Sequence, residues 1–203
     1  MGAMSRPADN SPPSADETRT RLILQARAGD RDAFEELMVM HEQLVYRTAW
    51  RLLGDREDAR NASQEVFLRL HRFLHRYDPA RPFEPWLYRL VVNACRDLQR
   101  RRPRLPLVPL DPPDPASPAP TAFTAPSQEA ALAAAESRTL VAAALRQLSP
   151  KERAAVVLRD IEGLSANEVA RILGSTAATV RSQASSARLK MRRFIERLRR
   201  RQP

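Results

Sequence analysis

Residues 164–193 read LSANEVARILGSTAATVRSQASSARLKMRR, the pattern of two short helices joined by a tight turn. Ser165 and Glu168 have the spacing of a capping box, which opens the first helix. Val169, Ala170, Ile172 and Leu173 fall on one of its faces, and Gly174 stands where a left-handed helix stop belongs. Thr176 is placed to cap the second helix. That helix carries Val180, Ala184, Ala187, Met191, Ile195 and Leu198 inward at intervals of three and four. Its other face carries Arg181, Ser182, Gln183, Ser185, Ser186 and Arg188. A helix, a glycine turn and a polar, basic second helix make a helix-turn-helix, whose second helix enters the DNA major groove. The same pattern also fits a solvated helical hairpin.

Upstream of this unit, Ser149-Pro150-Lys151-Glu152 combines a cap, a proline at the first helical position and a capping-box glutamate. The helix it starts is expected to reach about Glu162, where Gly163 breaks it. Leu140, Val141, Ala144, Leu145 and Leu148 give an earlier stripe in a helical unit beginning near Gln128. Residues 103–127 hold nine prolines, with Ala, Ser, Thr, Asp and Leu between them. This is an extended or disordered linker. Before it, residues 20–102 have helical periodicity. Asp30 can cap a helix whose stripe is Phe34, Leu37, Met38, His41, Leu44, Val45, Thr48 and Leu52. Gly54 stops that helix and Asp55 can cap the next, with Ala62, Val66, Phe67, Leu70, Phe73 and Leu74 inward. The segment Tyr77 to Pro85 reads as a loop, and Pro85 suits the first turn of a third helix carrying Trp86, Leu87, Leu90, Val91, Ala94 and Leu98. Residues 1–19 are rich in Pro, Ser and Asp and read as disordered. The expected fold is all-α: two small helical domains, 20–102 and 128–203, joined by the proline-rich linker.

The 203-residue chain has a formal net charge of +10, and arginine supplies nearly all of the positive charge. Such an excess favours a polyanionic partner, and guanidinium forks suit phosphates and guanine edges. One cysteine, Cys95, excludes an intramolecular disulfide and fits a reducing compartment. No apolar run approaches the length of a membrane span, and no signal peptide is visible at the N-terminus. A cytoplasmic protein without membrane insertion is expected.

Two stretches resemble one family. LSPKERAAVVLRDIEGLSANEVARILGSTAATVRSQASSARLKMRR is similar to region 4 of a bacterial RNA polymerase sigma factor of the extracytoplasmic-function (ECF, group IV) type. AFEELMVMHEQLVYRTAWRLLGDREDARNASQEVFLRLHRF, with FEPWLYRLVVNACRDLQRRR, is similar to region 2 of the same family. The resemblance implies that region 2 docks on the clamp coiled coil of the largest subunit of core RNA polymerase. The matching surface is Asp58, Asn61, Gln64, Glu65 and Phe67. It implies that region 2 also recognises and melts the −10 promoter element, with Phe83 in a loop beside a flipped base and Asn93, Arg96, Arg100 and Arg101 on the melted strand. A melted strand offers base faces for stacking and phosphates for guanidinium groups. Trp86 reads as core. Region 4 is implied to read duplex −35 DNA through Arg181, Ser182, Gln183, Ser185, Ser186 and Arg188. Arg can fork onto guanine and Gln onto adenine. Family members commonly have basic residues where Gln183 and Ser186 stand, so a different −35 sequence or more phosphate contact is expected. Around Arg60 and Asn61, where the family usually has acidic residues, one is basic and one neutral. An anti-sigma factor is a further implied partner.

Other signals weigh less. His71 and His75 have a four-residue spacing that can bind metal, but no carboxylate or cysteine joins them in a recognised order. Cys95 reads as a quiet buried thiol. No catalytic residue, cofactor or metal site is expected. Two further functions remain open on the residues: a stand-alone helix-turn-helix regulator, and a helical interaction protein acting through a sequestering partner.

Overall fold

A computed structural model of the chain describes residues 15–101 and 128–200. Among these residues are eight α-helices and no strand: α1 (Ala15–Arg27), α2 (Arg31–Leu53), α3 (Arg56–Phe73), α4 (Phe83–Arg101), α5 (Gln128–Arg146), α6 (Pro150–Val156), α7 (Ala166–Leu173) and α8 (Ala177–Arg199). The fold is all-α, as expected. A 3₁₀ turn, Leu74–Arg76, follows α3, and a π-helical turn, Val157–Ile161, prolongs α6. None of these helices is long and apolar enough to cross a membrane.

Local chemistry sets the helix ends. Asp30, Asp55, Ser149, Ser165 and Thr176 each accept a backbone N–H from the residue three positions on. Such a cap satisfies one of the N–H groups that a helix start leaves unpaired. Ser149/Glu152 and Ser165/Glu168 complete capping boxes. Gly54 and Gly174 close α2 and α7 with φ of 75° and 66°, a left-handed conformation that side chains resist.

Helices α1 to α4 form one bundle: α2 packs on α1, α3 and α4, and α3 packs on α4. Leu37, Val45, Val66, Leu70, Leu87 and Val91 are fully buried there. In the second half, α5, α6 and α7 each pack on α8, around Val157, Leu158, Val169 and Val180. Burying each such side chain contributes about 1.5–3 kcal/mol. The two halves also touch: α4 packs along α7, and α2 meets α6 and the π turn.

Two boundaries differ from expectation. Helix α1 begins at Ala15, inside the stretch read as disordered. Asp16 and Glu17 favour a helix N-terminus, Leu22 and Ile23 are buried, and Arg19 pairs with Asp16 and with Glu84 of α4. Phe83, placed by sequence in a loop, is the first residue of α4. Its ring is 3% exposed and packs edge-on against His41 and Tyr77, which pulls the helix start forward. The expected disorder of residues 1–14 and the linker 103–127 lie outside the described residues.

Candidate nucleic-acid interface

Helix α8 is oriented by its apolar side. Val180, Ala184 and Ala187 are buried, so Arg181, Ser182 and Ser185 point outward and are exposed. Thr176 Oγ1 accepts from Thr179 N at 3.1 Å and fixes the end of α8 that a groove-reading helix presents. Gln183 is half-buried at the edge of this face. Ser186 and Arg188 have partners inside the protein. Ser186 Oγ donates to Glu152 Oε1 at 2.7 Å. Arg188 forks onto Asp160, with Nε 2.7 Å from Oδ2 and Nη2 2.9 Å from Oδ1. The six expected residues therefore divide: three face solvent freely, one borders them, and two brace α8 against α6 and the π turn. Leu189, 47% exposed, extends the free face and was missed. Its signal was visible, seven residues after Ser182 and four after Ser185. An apolar side chain there suits a thymine methyl group.

On α4, Arg96, Arg100 and Arg101 are exposed and Asn93 is half-buried. Arg96 Nη2 donates to the Leu173 carbonyl at the end of α7, at 3.3 Å. Asp97 lies between Arg69, at 2.8 Å, and Arg100, and these two guanidinium groups hold its carboxyl below the usual range. Phe83 is enclosed by His41, Tyr77 and Trp86. The ring expected beside a flipped base is packed among these side chains in this arrangement. Trp86 is half-buried and packs on Tyr77 at 5.2 Å, in keeping with a core role.

The expected docking set on α3 also separates. Asn61 and Gln64 are exposed, and Glu65 is tied to Arg69 at 2.6 Å. Asp58 is 8% exposed, and Phe67 is half-buried against the core. Leu68 is 67% exposed. With Asn61 and Gln64 it makes a row at intervals of three and four along one face. Sequence reading overlooked it because Phe67 was the more obvious apolar anchor.

Among the described residues, no group of three His, Cys, Asp or Glu is placed to hold a metal ion. His71 packs edge-on against Phe34, while His75 lies in the 3₁₀ turn beside Arg76. Burial, reinforced by the nearby Asp58 charge, pushes the Cys95 thiol up to about 12. A thiol so rarely ionised is a poor nucleophile.

Comparison with known proteins gives a consistent result. Residues 37–105 match Sigma-70 region 2, and residues 138–191 match Sigma-70 region 4. The chain is 36% identical to the ECF RNA polymerase sigma factor SigE of Mycolicibacterium smegmatis, over 89% of this chain and 69% of that one. It is 34% identical to the ECF RNA polymerase sigma factor SigM of Mycobacterium tuberculosis, over 89% and 86%. The solved structure of CnrH in complex with the cytosolic domain of CnrY is similar with a TM-score of 0.63 and 26% identity, covering 88% of this chain and 97% of that one.

Proposed function

The chain belongs to the extracytoplasmic-function group of RNA polymerase sigma factors, and from that premise we propose how its surfaces divide the work. It is an alternative sigma factor, which gives core RNA polymerase its choice of promoter. Residues 20–102 act as the core-docking and −10 domain, and residues 128–203 as the −35 domain. Arg181, Ser182 and Ser185, with Gln183 at the border, read duplex −35 DNA; Arg188 and Ser186 hold α8 at the angle this requires. Asn93, Arg96, Arg100 and Arg101 meet the melted −10 strand. Asn61, Gln64, Glu65 and Leu68 form the surface for the clamp coiled coil, a polar rim around one apolar anchor. The factor works in the cytoplasm, performs no catalysis of its own and is held in check by an anti-sigma factor.

One observation carries this reading: both sigma regions occur in order on one chain, each with an exposed polar or basic helix face. A lone duplex-binding regulator has no use for the α3 face. Gel filtration with core RNA polymerase tests the reading. Co-elution is expected; a chain that elutes separately from core at micromolar concentration would overturn it.

A further inference from the structure

The surfaces assigned to two separate promoter elements are packed together in this structure. Helices α4 and α8 both lie against α7. Helix axes in contact lie about 8–10 Å apart, so the two reading helices are within about 20 Å of each other. Elements centred about 25 base pairs apart lie about 85 Å apart along an unbent duplex, at about 3.4 Å per pair. The packed arrangement cannot serve both elements at once. Arg96, a −10 residue in the proposed reading, donates to the Leu173 carbonyl of α7.

One carboxylate bridges the two halves. Glu162 follows the π turn, and its N–H donates to the Val157 carbonyl at 3.0 Å. This wider turn, prolonging α6, carries the side chain across to the first bundle. Glu162 Oε1 accepts from Thr48 Oγ1 at 3.0 Å and from Arg51 Nη1 at 2.8 Å, and Oε2 accepts from the Tyr88 hydroxyl at 2.9 Å. All three donors come from α2 and α4, and the Glu162 side chain is only 10% exposed. Burial and the Glu162 charge push the Tyr88 phenol far up, which keeps it a donor. Beside this group, Arg153 Nε is anchored on the Leu145 carbonyl at 2.9 Å while Nη1 reaches the Leu52 carbonyl, at the end of α2, at 3.0 Å. Hydrogen bonds to a charged group are the stronger kind, and those on Glu162 and from Arg153 to Leu52 exist only while the halves are docked.

We propose that Glu162 is an interdomain latch: the chain docks its own second half onto α2 and α4, engages Arg96 of the α4 strand-binding surface at the end of α7, and must release Glu162 before it can span a promoter. The consequence for strand binding rests on the proposed −10 role of α4; the latch itself does not.

The full chain tests this, with spin labels on Gln99→Cys of α4 and Arg171→Cys of α7, two exposed positions on helices that pack together across the halves, in a Cys95→Ala background. Distances by electron double resonance are compared with binding of short random-sequence single-stranded DNA by the free chain. Wild type is expected to give one short distance. Glu162→Ala is expected to lower the ratio of short to long distances about tenfold and to strengthen single-strand binding. Thr48→Val with Tyr88→Phe, which removes the opposing donors, should do the same, with helix content by circular dichroism unchanged. Arg51→Glu with Glu162→Arg should restore the short distance. An unaltered distance distribution in both opened variants, or a long distance already in wild type, overturns the latch. Opening without any gain in single-strand binding overturns the competing engagement of Arg96. Opening in a chain that fails to bind core polymerase supports the latch and removes the promoter reading instead.

Discussion

Glu152 ties the start of α6 to the middle of α8 through one carboxylate. It accepts from the Ser149 backbone N–H at 3.1 Å, the Ser149 hydroxyl at 2.7 Å, the Ser186 hydroxyl at 2.7 Å and Lys190 Nζ at 2.9 Å. Lys190 foremost, with Ser149 and Ser186, holds its carboxyl down to about 2. A carboxyl depressed in the folded state stabilises the fold above its unfolded pKa, near 4.3, and loses that contribution as the pH falls through about 2. Stability measured by urea unfolding should therefore decline between about pH 4.5 and pH 2. Glu152→Gln should flatten that decline and lower stability at pH 7 by about 1–3 kcal/mol. An unchanged slope would remove Glu152 from the acid response. Ser149 and Glu152 were legible as a capping box, because the motif is local. The bond from Ser186 was not, because nothing in a serine on a helix face announces a partner 34 positions earlier. The same holds for Arg188 and Asp160, separated by 28 positions.

The helices themselves were largely legible, because their signals are short-range. Asp30, Asp55, Ser165, Thr176, Gly54 and Gly174 mark ends that the structure keeps. The 3.6-residue periodicity placed Leu37, Val45, Val66, Leu70, Leu87 and Val91 in the core, where they are fully buried. The start of α1 escaped, since its anchor is Arg19 on Glu84, a contact between distant parts of the chain. Periodicity also blurs neighbours one position apart. It could not show that Phe67 turns toward the core while Leu68 turns out. The difference is testable on α3. Leu68→Asp should weaken core polymerase binding about tenfold or more, measured by fluorescence anisotropy, with thermal unfolding shifted by only a degree or two. Phe67→Ala should cost about 2–3 kcal/mol of stability through lost packing. If Leu68→Asp binds core as wild type does, the proposed docking row is wrong.

Between the two halves, sequence reading had least to offer. A proline-rich stretch in residues 103–127 announces two units, and nothing in local pattern says whether they touch. Glu162 read only as the last residue before a glycine break. Its meaning depends on Thr48, Arg51 and Tyr88, all more than seventy positions earlier. The net charge of +10 did foretell a polyanionic partner, which the family assignment makes promoter DNA. On duplex DNA, Arg181→Ala should cost about 1–3 kcal/mol of binding and relax sequence preference at one base pair, while core association stays intact. Equal loss on every sequence would mean a phosphate contact instead.

The most direct measurement of the central claim is run-off transcription by core RNA polymerase with and without the purified chain, on fragmented genomic DNA of its host, with the start sites mapped. The chain should direct initiation at a discrete set of sites sharing −35 and −10 elements, and Arg181→Ala should reduce their use. Core polymerase that starts at the same sites with or without the chain would contradict the account.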